Sequence, residues 1–157
     1  MIVRSGLALA LMATSAFGVA GQASAATQSQ PAAPTAARST NVVLASNVGC
    51  LLARDITRLD RGRWTIDPPA IISSKGRGTW ETESRLPLTG TEGTVTYLTT
   101  ECADPALNYK TVRVHWKNPY VGKNEYDANG TDPALRVTWT EDGGKHAHVV
   151  FTLDSAT

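Results

Sequence analysis

The chain has 157 residues, 41% of them hydrophobic and only 18% charged, which is too little charge for a coiled coil and too few polar residues for wholesale disorder. A length of this order supports one domain. The formal net charge of +1 offers no field for capturing nucleic acid, so no DNA or RNA partner is expected.

In chain order, residues 1–25 read as a cleaved secretion signal. Arg4 supplies the basic n-region, Gly6 to Ala20 an apolar run, and Ala23-Ser24-Ala25 a small-x-small cleavage site. The run is too short and too rich in Ala and Gly for a span, which needs roughly 20 apolar residues. No stop-transfer flank follows, and no twin-arginine pair precedes it. The expected mature chain is therefore secreted, with 14 basic against 14 acidic side chains once Arg4 is removed. Residues 26–40 (ATQSQPAAPTAARST) lack a hydrophobic period and read as a flexible leader. The folded domain is expected at 41–157.

Within it, apolar and polar residues alternate with period 2, the mark of half-buried strands. Strands are expected at 41–46, 51–57, 78–83 and 93–99, with a short one near 70–73. The clearest alternations come later. Val112, Val114 and Trp116 oppose Thr111, Arg113, His115 and Lys117; Leu135, Val137 and Trp139 oppose Arg136, Thr138 and Thr140. Ala147, Val149, Phe151 and Leu153 oppose His146, His148, Val150 and Thr152. Between the strands stand turn formers such as Asp60-Arg61-Gly62, Asp67-Pro68-Pro69, Asn129-Gly130 and Asp142-Gly143-Gly144. The expected fold is all-β: one β-sandwich of about 7–9 mostly antiparallel strands. Cys50 and Cys102 fall in the exported part, where a single disulfide is the default and two free thiols the alternative.

Trp64, Trp80, Trp116 and Trp139 are each in phase with an apolar face and are expected to fill the space between two sheets. Ligand contacts then fall to loops carrying apolar side chains without a place in the core. Two stand out: Leu86-Pro87-Leu88, and the stretch from Asn118 to Asp127 with two tyrosines and a valine.

Catalytic chemistry is poorly supplied. His146 and His148 share a strand face but have no third ligand at a useful spacing. Glu81 and Glu83 read as solvated carboxylates. The stretch from Asp127 to Asp132 starts like a calcium loop, but its glycine comes too early and the closing glutamate is missing. No enzyme, metal or cofactor is expected.

Five segments, LDRGRW (59–64), ETES (81–84), TGTEGTVTY (89–97), WKNPYVGKNEYD (116–127) and HAHVVFTL (146–153), occur in that order. Together they resemble the aegerolysin family, most closely the branch containing the small subunit of bacterial binary insecticidal crystal toxins. The resemblance covers most of the mature domain. It implies a β-sandwich and a non-enzymatic protein that binds membrane lipids, including sphingolipid or sterol-containing bilayers. It also implies cytolytic, toxin-like action alongside a larger pore-forming partner. Three features depart from that branch: the signal and leader, the two cysteines, and RLPL (85–88) in place of a Gly-Phe-Met-like segment.

With the exposed-loop reading, the resemblance implies a lipid contact in which Leu86 and Leu88 form an apolar wedge. Asn118, Tyr120, Lys123, Tyr126 and Asp127 supply its polar and aromatic part. A secreted carbohydrate-binding or cell-surface module, with the tyrosines stacking on sugar rings, is the alternative. A structural protein whose sandwich edge pairs with partners is a third.

Overall fold

In the computed structural model the described residues are 36–156. The expected signal peptide and residues 26–35 of the expected leader lie outside them. Ten strands follow: β1 Ser39–Ser46, β2 Leu51–Arg61, β3 Arg63–Ile66, β4 Ile71–Ile72, β5 Arg77–Glu83, β6 Thr91–Thr100, β7 Thr111–Asn118, β8 Glu125–Asp127, β9 Leu135–Asp142 and β10 His146–Ser155. The first sheet runs β3-β5-β1-β10-β9 and the second β4-β2-β6-β7-β8. Every pairing is antiparallel except that of β1 with β10. Among the described residues no helix is long and apolar enough to cross a membrane.

The period-2 readings place the core. Val112, Val114 and Trp116 of β7 are fully buried, as are Val149, Phe151 and Leu153 of β10. Trp116 is the hub. Its ring lies 6.1 Å from that of Trp80 and 5.7 Å from that of Trp64, and its Nε1 donates to Thr82 Oγ1 at 3.2 Å. Burying that indole without strain on its N–H is possible because the hydroxyl of the facing sheet accepts it.

Three expectations change. The domain begins at Ser39 rather than Asn41, and Thr40, read as leader, is fully buried with its hydroxyl 2.7 Å from that of Thr91. Trp139 points to the inner face as its phase requires, yet it is 42% exposed. It sits on the edge strand β9, where the opposing edge strand β8 is only three residues long, so no full layer covers it. Two strands, β3 and β8, were not anticipated, and β8 lies inside the segment read as a loop.

The TGTEG and W-x-N-P segments prove to be one packing unit. Thr91 pairs with Asn118, and Gly93 with Trp116. A Cβ on Gly90 would stand 2.2 Å from the Asn118 carbonyl oxygen, and one on Gly93 2.7 Å from the Trp116 ring. Glycine is required at both positions so that backbone and indole can approach.

The cysteines form the expected Cys50–Cys102 disulfide, tying the start of β2 to the segment after β6. That closes a loop of about 50 residues at one end of the sandwich, for which chain entropy gives roughly 4 kcal/mol at most.

Candidate functional site

The register places five chain segments at the end opposite the disulfide: residues 36–38, the β2–β3 turn, 84–90, 119–124 and 143–145. Asn118 fastens this pole. Its Nδ2 donates to Ser39 O at 2.9 Å and to Lys145 O at 3.0 Å, joining the two sheets. Asn118 is fully buried, so its expected role as a lipid contact is corrected. It is the last inward residue of β7, in phase with 112, 114 and 116; its amide nitrogen is consumed by the fold, while Oδ1 is buried without a hydrogen-bond partner among the described residues.

Leu86 is 65% exposed and Leu88 67%. Thr89 holds their loop closed, its hydroxyl donating to Leu86 O at 2.6 Å and accepting from Leu86 N at 3.3 Å. Leu88 has φ 61°, a left-handed conformation that costs a non-glycine residue on the order of 1–2 kcal/mol. Lys75, Glu101 and Tyr109 share this conformation, so the strain is not peculiar to this loop.

The second loop is led by Tyr120, 38% exposed, and Val121, 82% exposed. Arg38 braces Tyr120: its guanidinium lies 5.4 Å from the ring centroid and Nη2 donates to the Tyr120 carbonyl. This stacking combines cation–π attraction with a charge-assisted bond. The Asn124 Nδ2 reaches Gly144 O at 3.2 Å, tying the loop to the β9–β10 turn. Between them lies a depression of about 350 Å³ lined by Arg38, Lys123, Asn124 and Glu141. A second, of about 360 Å³, lies beside Leu86 and Arg85. Val121, Arg38 and Arg85 were not among the expected contacts; the run Pro119-Tyr120-Val121-Gly122 was the only signal for Val121, and nothing marked Arg38.

The remaining candidates divide. Lys123 is exposed at the pole. Tyr126, in β8, is half-buried against the core, its ring 6.4 Å from Phe151. Burial raises the phenol pKa, with Glu141 acting the same way and the Asn124 side chain opposing. Asp127 is engaged on the outer face of the second sheet. Its Oδ2 is 2.8 Å from His115 Nδ1, its Oδ1 accepts from Arg113 Nη1 at 3.0 Å and from Asn129 N at 3.0 Å. Partial burial works to raise the Asp127 pKa and is outweighed by the Asn129 amide, His115 and Arg113, leaving it lowered. Tyr126 and Asp127 are thus held by the fold, and neither belongs to the exposed rim.

The pole is basic although the chain as a whole has a formal net charge of only +1. Arg85, Lys123 and Lys145 are exposed and make no ion pair among the described residues. His146 and His148 are exposed, within 2.9 Å of Ser39 Oγ and Asn41 Oδ1 respectively. Among the described residues no group of three or more His, Cys, Asp or Glu is placed to hold a metal ion.

No family model matches the chain, and no curated protein matches it. Solved structures do. The lipid-binding protein Nakanori superimposes with a TM-score of 0.62 at 12% identity, over 76% of this chain and 72% of its own. RahU, solved in complex with Tris, superimposes with a TM-score of 0.60 at 10% identity, over 78% of this chain and 98% of its own. At such identities the likeness carries architecture alone, and the chain has an aegerolysin-like β-sandwich fold.

Proposed function

We propose that this chain is a secreted, non-enzymatic protein that docks on membrane lipid through the pole of Leu86, Leu88, Tyr120 and Val121. The observation that carries the reading is their joint exposure on two loops of one pole, each loop fixed by its own hydrogen bonds. Apolar side chains displayed on a braced surface belong to an interaction site. Transferring these side chains into the interfacial zone contributes on the order of 5 kcal/mol at 25 cal/mol per Å². That suffices for reversible docking and falls far short of embedding the domain. Arg85, Lys123 and Lys145 add attraction to headgroup phosphates. The likeness to a lipid-binding protein supports the same reading.

The finer reading is toxin-like: a lipid-recognising component acting with a larger pore-forming partner, on sphingolipid or sterol-containing bilayers. The carbohydrate alternative is less well served, because it needs free ring faces. Tyr126 is half-buried and Arg38 covers one face of Tyr120. The test is co-sedimentation with vesicles of phosphatidylcholine alone, sphingomyelin with sterol, and ceramide phosphoethanolamine. Binding to at least one composition, lost in Leu86→Asp/Leu88→Asp, is expected. Absence of binding to every vesicle would overturn the proposal.

A further inference from the structure

Sheet edges present unpaired backbone N–H and C=O groups, and proteins commonly blunt them by keeping the edge strand short. Three of the four edges here are short: β3 has four residues, β4 two and β8 three. The fourth, β9, has eight, LRVTWTED, with no proline and no lysine. Thr138, Trp139 and Thr140 at its centre are strong strand formers and all are exposed.

Its charges are placed symmetrically. Arg136 and Asp142 lie three residues to either side of Trp139, on the outer face, and both are exposed. Neither has an ion-pair partner among the described residues. We propose that β9 is a self-association edge, pairing antiparallel with β9 of a second copy about a two-fold axis at Trp139. In that register each Arg136 faces Asp142 of the other copy, giving two cross-strand ion pairs, and Thr138 faces Thr140. The two half-exposed Trp139 rings meet on the inner side, where the short β8 leaves them uncovered. The two five-stranded first sheets become one of ten strands. Glu141 faces Val137 of the other copy and gains nothing there, which keeps the dimer reversible.

Sedimentation equilibrium on the purified protein without lipid tests this, with thermal unfolding as a control on folding. The wild type is expected to reach a monomer–dimer equilibrium. Arg136→Asp and Asp142→Arg, each placing like charges opposite one another twice, are each expected to weaken it about tenfold. The double exchange Arg136→Asp/Asp142→Arg restores the pairs and is expected to recover wild-type association. A protein that stays monomeric at every concentration overturns the proposal. So does a dimer indifferent to the single reversals, or one that the double exchange fails to restore.

Discussion

The two ends of the sandwich are built from the same strands and solve opposite problems. At the disulfide end, Cys50–Cys102 is backed by hydrogen bonds that consume loop polar groups: Ala103 N to Gly49 O at 2.8 Å, Cys102 N to Asn108 Oδ1 at 3.0 Å, Lys110 N to Thr99 Oγ1 at 2.8 Å. Tyr109 is exposed there, and Ile71 of β4 lies exposed beside the start of β2. The opposite end is fastened by Asn118, Arg38 and Thr89 and still leaves four apolar side chains in water. Rigidity at one end serves stability. At the other it holds side chains that the fold itself has no use for, and that contrast supports the proposed docking surface.

The comparison breaks first if the disulfide end matters for docking. Replacing Cys50 and Cys102 by Ala is expected to cost about 4 kcal/mol, read by denaturant unfolding, while vesicle affinity of the folded protein stays unchanged. The reverse pattern is expected of Leu86→Asp/Leu88→Asp. Thermal stability holds and vesicle binding falls about 100-fold, corresponding to about 3 kcal/mol for two leucines. Asn118→Ala sharpens the distinction within the pole itself: loss of two buried hydrogen bonds is expected to destabilise by about 2 kcal/mol. Lipid selectivity should remain that of the wild type, because Asn118 faces no solvent.

The smallest effect belongs to the outer face of the second sheet. A lowered Asp127 pKa means that its contribution is present above the ordinary carboxylate range and is lost as pH falls through the folded-state value. Asp127→Asn is expected to cost about 1 kcal/mol at neutral pH, and the difference from wild type should vanish in acid. Unfolding curves from pH 7 down to pH 2 would show the convergence.

Much of this architecture was legible in the sequence, because alternation reports which face of a sheet a residue occupies. It does not report how far the opposing sheet extends, and that is why Trp139, correctly phased, stands at an uncovered edge. Asn118 illustrates the converse. The Asn-Pro pair signals a turn, and the polar side chain invites a solvent role. Yet its phase with Val112, Val114 and Trp116 already placed it inside, needing only carbonyl partners that the sequence does not display. Leu86 and Leu88 were readable because a Leu-Pro-Leu run in a turn has no strand phase. Arg38 was not, since its partner Tyr120 lies 82 positions away.

The parallel pairing of β1 with β10 sets an order of events. Val42 lies beside Val149, so the central strand of the first sheet acquires one neighbour only when the far end of the chain is available. Until then β1 has β5 alone, and closing so long a loop comes late and slowly. A truncation that removes β10 would therefore strip the middle of the barrier between core and water rather than trim a margin. A nascent chain halted short of β10 would be quarry for proteases and chaperones.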